Sequence, residues 1–174
     1  MDEFGLATVT PARAQVVRDF ATSELFDRTF QEGMELVEET ASYLDGSGRQ
    51  ESKLLSRAAA LSYASASMRL TTRLMQVASW LLVQRAVREG DMTPAEACES
   101  RYRLNAKTRG EAPDAETETL PGGLTGLAVR AERLYERVAH LDRRMYLEVP
   151  GEEAPNPVLS QFERLRTAFG EMSA

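Results

Sequence analysis

SKLLSRAAALSYASASMRLTTRLMQVASWLLVQRAVREG, residues 52–90, contains no proline, and its only glycine is the last residue, Gly90. Run as one helix, residues 52–89 would extend about 57 Å at 1.5 Å per residue. The apolar side chains form more than one line along it. Leu61, Ala64, Met68, Thr71, Met75, Ala78 and Leu82 alternate in steps of three and four. Leu70, Leu74, Val77 and Leu81 make a second line, and Trp80, Val83 and Val87 a third. A helix that is apolar around most of its girth must be covered around most of its girth. Two partner helices from the same chain leave one line over. A second copy, packed through Leu74, Val77, Trp80 and Leu81, is the expected cover. The expected fold is all-α: an antiparallel three-helix bundle with one long central helix, paired as a homodimer.

The flanking sequence supplies the other two helices. Ser23 offers an N-cap oxygen, and Glu24 follows in the first turn to oppose the dipole. Phe26, Phe30, Gly33, Met34, Val37, Ala41 and Leu44 then recur at helical spacing. Asp45-Gly46-Ser47-Gly48 reads as the turn into the long helix, because glycine accepts the left-handed C-terminal cap. The first helix is therefore expected over 23–45. The third is expected over 123–147, where Leu124, Leu127, Ala131, Leu134, Val138, Leu141 and Met145 hold a three-four alternation. Its other face carries Arg130, Arg133 and Arg137, a candidate partner face for phosphate or acidic groups. The plainer reading is a solvated face paired with Glu132 and Glu136.

Between the second and third helices, Thr93-Pro94-Ala95-Glu96 is a capping box with proline at the first helical position, opening a short helix to about Leu104. Residues 105–121 carry Glu111, Asp114, Glu116 and Glu118 with few apolar side chains, and read as a flexible acidic loop. Residues 1–22 read as a flexible N-terminal arm with a helical turn near 14–20, ahead of a bundle domain over 23–149. Pro150, Pro155 and Pro157 make 150–157 a linker. Beyond it Leu159, Phe162, Leu165 and Phe169 would share one face if the tail, 150–174, became helical. Such a tethered piece is too short to be a stable helix alone, and it docks on its own domain or folds onto a partner.

The 174 residues suit one domain; 43% are hydrophobic and 28% charged, as in an ordinary globular protein. The net charge of −6 argues against a whole-surface grip on nucleic acid. The N-terminus lacks the basic-then-apolar order of a signal peptide, and the most apolar run is about ten residues where a membrane helix needs roughly 20. A cytoplasmic protein is expected. Cys98 and His140 are each the sole residue of their type, so no disulfide framework or zinc cluster is built from one chain. No phosphate-binding loop or nucleophile elbow is present, and no cofactor or metal is expected. His140 falls on the outer face of the third helix. It reads as a solvated residue before it reads as a phosphoryl nucleophile. Glu96 and Glu99 beside Cys98 raise a thiol pKa and leave the residue a small hydrophobe. No catalysis is expected.

Three stretches carry a resemblance to a known family: ETASYLDG (39–46), MRLTTRLMQVASWLL (68–82) and ERLYERVAHLDR (132–143). Together they resemble the RcdA family, regulators of CtrA degradation in alphaproteobacteria. The likeness covers about 23–147 and rests on long runs. It implies an all-helical, dimeric bundle with no catalysis of its own. It further implies an adaptor that helps deliver the transcription regulator CtrA to the ClpXP protease, acting with CpdR and PopA and gathering at a cell pole. The residues alone leave other roles open: a phosphotransfer module through His140, a DNA-associated regulator through the arginine face, or a structural dimer with no further task.

Overall fold

The computed structural model describes residues 11–104 and 120–146. Helices α1 (Pro11–Ala21), α2 (Glu24–Asp45), α3 (Ser47–Ser52), α4 (Arg57–Glu89), α5 (Pro94–Ala97) and α6 (Gly122–Tyr146) follow in order, with a 3₁₀ turn at Ser100–Tyr102. No strand occurs among the described residues. The fold is an all-helical bundle, as the periodicity predicts.

Local chemistry sets the ends. The Ser23 hydroxyl accepts from the Phe26 N–H at 3.2 Å and opens α2. Thr93 and Glu96 form the reciprocal capping box of α5, which ends after one turn and passes into the 3₁₀ turn rather than running on to Leu104. The fully solvated Glu96 carboxyl is held below the usual carboxylate range by the Thr93 backbone and hydroxyl. Gly90 closes α4 at φ +83°, a left-handed conformation that side chains with a Cβ resist. The long helix starts at Arg57 and not at Ser52. Ser56 takes extended ψ and its hydroxyl caps the Ala59 N–H at 3.2 Å. Ahead of it the chain makes the separate α3 and tight turns at Lys53, Leu54 and Leu55. A serine that offers the backbone an alternative acceptor ends the run as effectively as glycine would.

The pairings between helices fix their directions. Asp27 meets Arg88, while Gly33 lies against Leu81, so α2 and α4 run opposite ways. Glu32 pairs with Arg137 and Glu39 with Arg130, so α2 and α6 do too. Arg73 pairs with Glu132, Trp80 with Asp142 and Gln84 with Tyr146, so α4 and α6 run the same way. The antiparallel arrangement holds for two of the three pairs. Parallel α4 and α6 require the chain between them to return the length of the bundle, about 30 Å along α6 from Asp142 to Gly122.

Two expectations are corrected here. Residues 11–21 are not an arm. In α1, Val17 and Ala21 are fully buried and Phe20 is 9% exposed. The Phe20 ring lies 5.6 Å from that of Trp80 and 5.9 Å from that of Phe26. Three apolar positions at i, i+3 and i+4 are enough to seat a short helix on a core already assembled. The second correction concerns the dimer residues. Leu74, Val77, Trp80 and Leu81 are 4%, 1%, 2% and 0% exposed and form the protomer's own core with Leu36, Leu124, Leu134 and Val138. The reason is a count of neighbours: α4 packs against α1, α5 and the 3₁₀ turn as well as α2 and α6. The extra elements cover the Trp80, Val83 and Val87 line, so no second copy is needed there.

Candidate interaction surfaces

What α4 leaves uncovered is the first line of its sequence. Leu61 is 74% exposed, Met68 70%, Met75 65% and Leu82 52%. These four are seven residues apart, and Ala64, Thr71 and Ala78 fill the half-steps. The line runs about 32 Å along the helix, opposite its core face. It bears no charge. The sequence displays this seam, but its girth-wide apolar pattern does not say which line faces inward. Two signals distinguish it: the sevenfold spacing, and a composition that reads Leu-Ala-Met-Thr-Met-Ala-Leu in either direction.

The second surface is a groove of about 760 Å³ between α2 and α6. Leu25, Thr29 and Leu141 line its floor, and Arg130, Arg133, Arg137 and His140 its α6 side. The candidate arginines are thus brought together along one helix edge. Arg130 and Arg137 reach exposed Glu39 and Glu32 across it. Arg133 has no carboxylate partner among the described residues. Leu25, 53% exposed, is missed from sequence. Its signal is an aliphatic residue one step off the Phe26–Phe30–Gly33 stripe.

At the lower end of α6, Asp142 is a buried hub. It accepts from Trp80 Nε1 at 2.9 Å, from Arg103 Nη2 at 3.0 Å and from the Leu104 N–H at 3.3 Å. Beside it, Gln84 Nε2 donates to the Tyr146 hydroxyl at 2.9 Å, and burial pushes that phenol well up. These contacts pin 100–104 to the bundle and are structural. A smaller hollow of about 420 Å³ lies between α4 and Arg101–Leu104 beside Met75.

Cys98 is half-buried and its thiol is pushed up by burial, against the opposing pull of Arg13 and Arg103; the acidic neighbours are not the cause. His140 is solvated. Among the described residues no cluster of three metal-ligating side chains occurs, and no helix is long and apolar enough to cross a membrane. The acidic residues of 105–119 and the tail residues Leu159, Phe162, Leu165 and Phe169 lie outside the described residues.

A family model described as a protein of unknown function, DUF1465, matches residues 17–169. The chain belongs to the DUF1465 family. The crystal structure of RcdA from Caulobacter crescentus CB15 is similar to it at 66% sequence identity and TM-score 0.62, covering 76% of this chain and 99% of that one. The resemblance read from 39–46, 68–82 and 132–143 therefore extends over nearly the whole of the solved RcdA chain. No curated protein matches. For a DUF1465 member, the match at residue 17 fits the buried position of Val17 and places α1 inside the family's fold.

Proposed function

We propose that this DUF1465 chain is a non-enzymatic adaptor that helps deliver CtrA to the ClpXP protease, in concert with CpdR and PopA. It works in the cytoplasm, gathers at a cell pole and needs no cofactor. The observation that carries the reading is a rigid bundle with a 32 Å uncharged apolar line uncovered on α4, in a chain 66% identical to RcdA. An adaptor acts by raising the local concentration of cargo near its protease, which calls for firm scaffolding and exposed contact surfaces. The arginine edge of α6 and the tail residues Leu159, Phe162, Leu165 and Phe169 are the further contact elements.

The same line supports a homodimer, with its interface moved from the buried Leu74 line to Leu61, Met68, Met75 and Leu82. Two antiparallel copies related by a two-fold axis at Thr71 would set Leu61 against the partner's Leu82 and Met68 against the partner's Met75. A two-fold interface must be self-complementary, and a seam that reads alike in both directions is. Threes and fours sustained over three heptads suit the knobs-into-holes packing of paired helices.

Reconstitution tests the adaptor reading. Purified ClpXP, CpdR and PopA are mixed with CtrA, with and without the chain. The expected result is faster loss of CtrA when the chain is present. No acceleration, and no co-purification with any of these proteins, overturns it and leaves a structural dimer. Phosphoryl transfer to His140, or salt-sensitive retention of DNA, would replace it with the phosphotransfer or DNA-associated reading.

A further inference from the structure

The described apolar side chains exposed away from α4 include Leu25, and Leu25 lies on the floor of the α2–α6 groove. The geometry points to this chain's own C-terminal tail as the occupant of that groove. Four observations select it. Tyr146 ends α6 six residues beyond His140, at the groove's lower mouth, and 28 residues follow it. The prolines at 150, 155 and 157 prevent α6 from continuing, so the chain turns away from its axis there. The eleven residues 147–157 reach up to about 36 Å, more than enough to fold back. The apolar piece 158–169 as a helix is about 18 Å long, and the groove from Leu141 to Arg130 measures about 17 Å along α6.

Charge agrees with length. The first turns after Tyr146 carry Glu148, Glu152 and Glu153, and the groove side they face on return carries Arg137, Arg133 and His140. Arg133 has no carboxylate among the described residues to satisfy it. Phe162 and Leu165 would meet Leu25 and Leu141, covering apolar surface that water now wets. The seam on α4 is the rival seat, but it offers nothing to three glutamates. A 12-residue helix is marginal in water, so the docked state is shallow and reversible. While docked, the tail covers the arginine edge that an acidic partner would use. The inference concerns the chain alone and does not depend on cargo delivery.

Disulfide trapping in the full chain tests it. In a Cys98→Ser background, Leu25→Cys with Phe162→Cys is compared with Met75→Cys with Phe162→Cys, in dilute protein under mild oxidant. The expected result is an intrachain bond formed at least about tenfold faster from Leu25, as proximity raises effective concentration. Adding Arg133→Glu with Arg137→Glu should slow it at least threefold. Equal rates, a faster bond from Met75, or bonds only between chains overturn the proposal. Hydrogen exchange on the unsubstituted chain gives a second measure. Amides of 158–169 should exchange more slowly than in Arg133→Glu with Arg137→Glu; unchanged exchange also overturns it.

Discussion

The indole Nε1 of Trp80 donates to the Asp142 carboxylate at 2.9 Å, joining the middle of α4 to the last turns of α6. The same carboxylate holds Arg103 and the Leu104 N–H, so one side chain ties three segments. Asp142→Ala strands a buried indole N–H and a mostly buried guanidinium. The expected loss is about 3 kcal/mol, the scale for breaking a buried pair. Trp80 is the sole tryptophan and reports it directly in a urea titration followed by fluorescence. A loss under about 1 kcal/mol would show that water replaces the carboxylate there.

Substitutions on opposite faces of α4 should part company. Leu81 is fully buried and Met75 is 65% exposed. Leu81→Asp places a carboxylate in the core and should unfold the protomer, at a cost of order 3–5 kcal/mol. Met75→Asp should leave the melting temperature of the protomer nearly unchanged and turn a dimer into a monomer in light scattering. Met68→Asp should do the same. If these seam variants keep the mass of the unsubstituted chain, the two-fold seam is wrong.

That contrast also marks how far the sequence could be read. The α6 stripe is legible because one face is apolar and the other charged, and Leu124 through Met145 fall as the periodicity predicts. The inward direction of α4 is not legible, because apolar residues circle it and the choice is made elsewhere in the chain. Phe20 on α1 and Leu104 beside Asp142 decide that Trp80 turns inward. The parallel run of α4 and α6 follows from pairings such as Arg73 with Glu132, which no local pattern encodes. The arginine edge is legible as a helical face. Its apolar floor is not, because Leu25 belongs to another helix.

Gly33 is where α2 approaches closest. A Cβ there would lie 2.7 Å from Leu81 Cδ1, inside a packed core. Alanine gains up to about 1 kcal/mol of helix propensity. Overpacking a dense core costs about 1–3 kcal/mol. Gly33→Ala should therefore be net destabilising by about 1 kcal/mol. Leu81→Val, which removes a methylene at the point of contact, should recover part of it. Thermal melts of the two single variants and the double would show the coupling, and simple additivity would refute it.

Two phenols resist ionisation. Burial, with Glu51 accepting from its hydroxyl at 2.7 Å, pushes Tyr43 up to about 12; burial pushes Tyr146 up as well. The folded chain thus keeps protons that the unfolded chain releases above pH 10. The stability from this term is full below pH 10 and falls as pH rises from 10 towards 12. Tyrosinate absorbance of the folded chain should show two of five tyrosines lagging, and Tyr43→Phe should remove one of them. Five groups titrating together near pH 10 while the chain stays folded would contradict the buried contacts.

The tail should matter to delivery more than to stability. Phe162→Ala with Phe169→Ala removes two of its aromatic anchors and touches none of the core around Trp80. A few anchors dominate contacts of this kind, so cargo degradation by ClpXP should slow at least about fivefold for one cargo. Because a short docked helix is only marginally stable, the melting temperature should move by no more than about 3 °C. Both quantities can be read on the same purified variant. A fall of many degrees would place the tail in the core of the fold. An unchanged rate for every cargo, with the melting temperature held, would show that these side chains contact neither cargo nor protease.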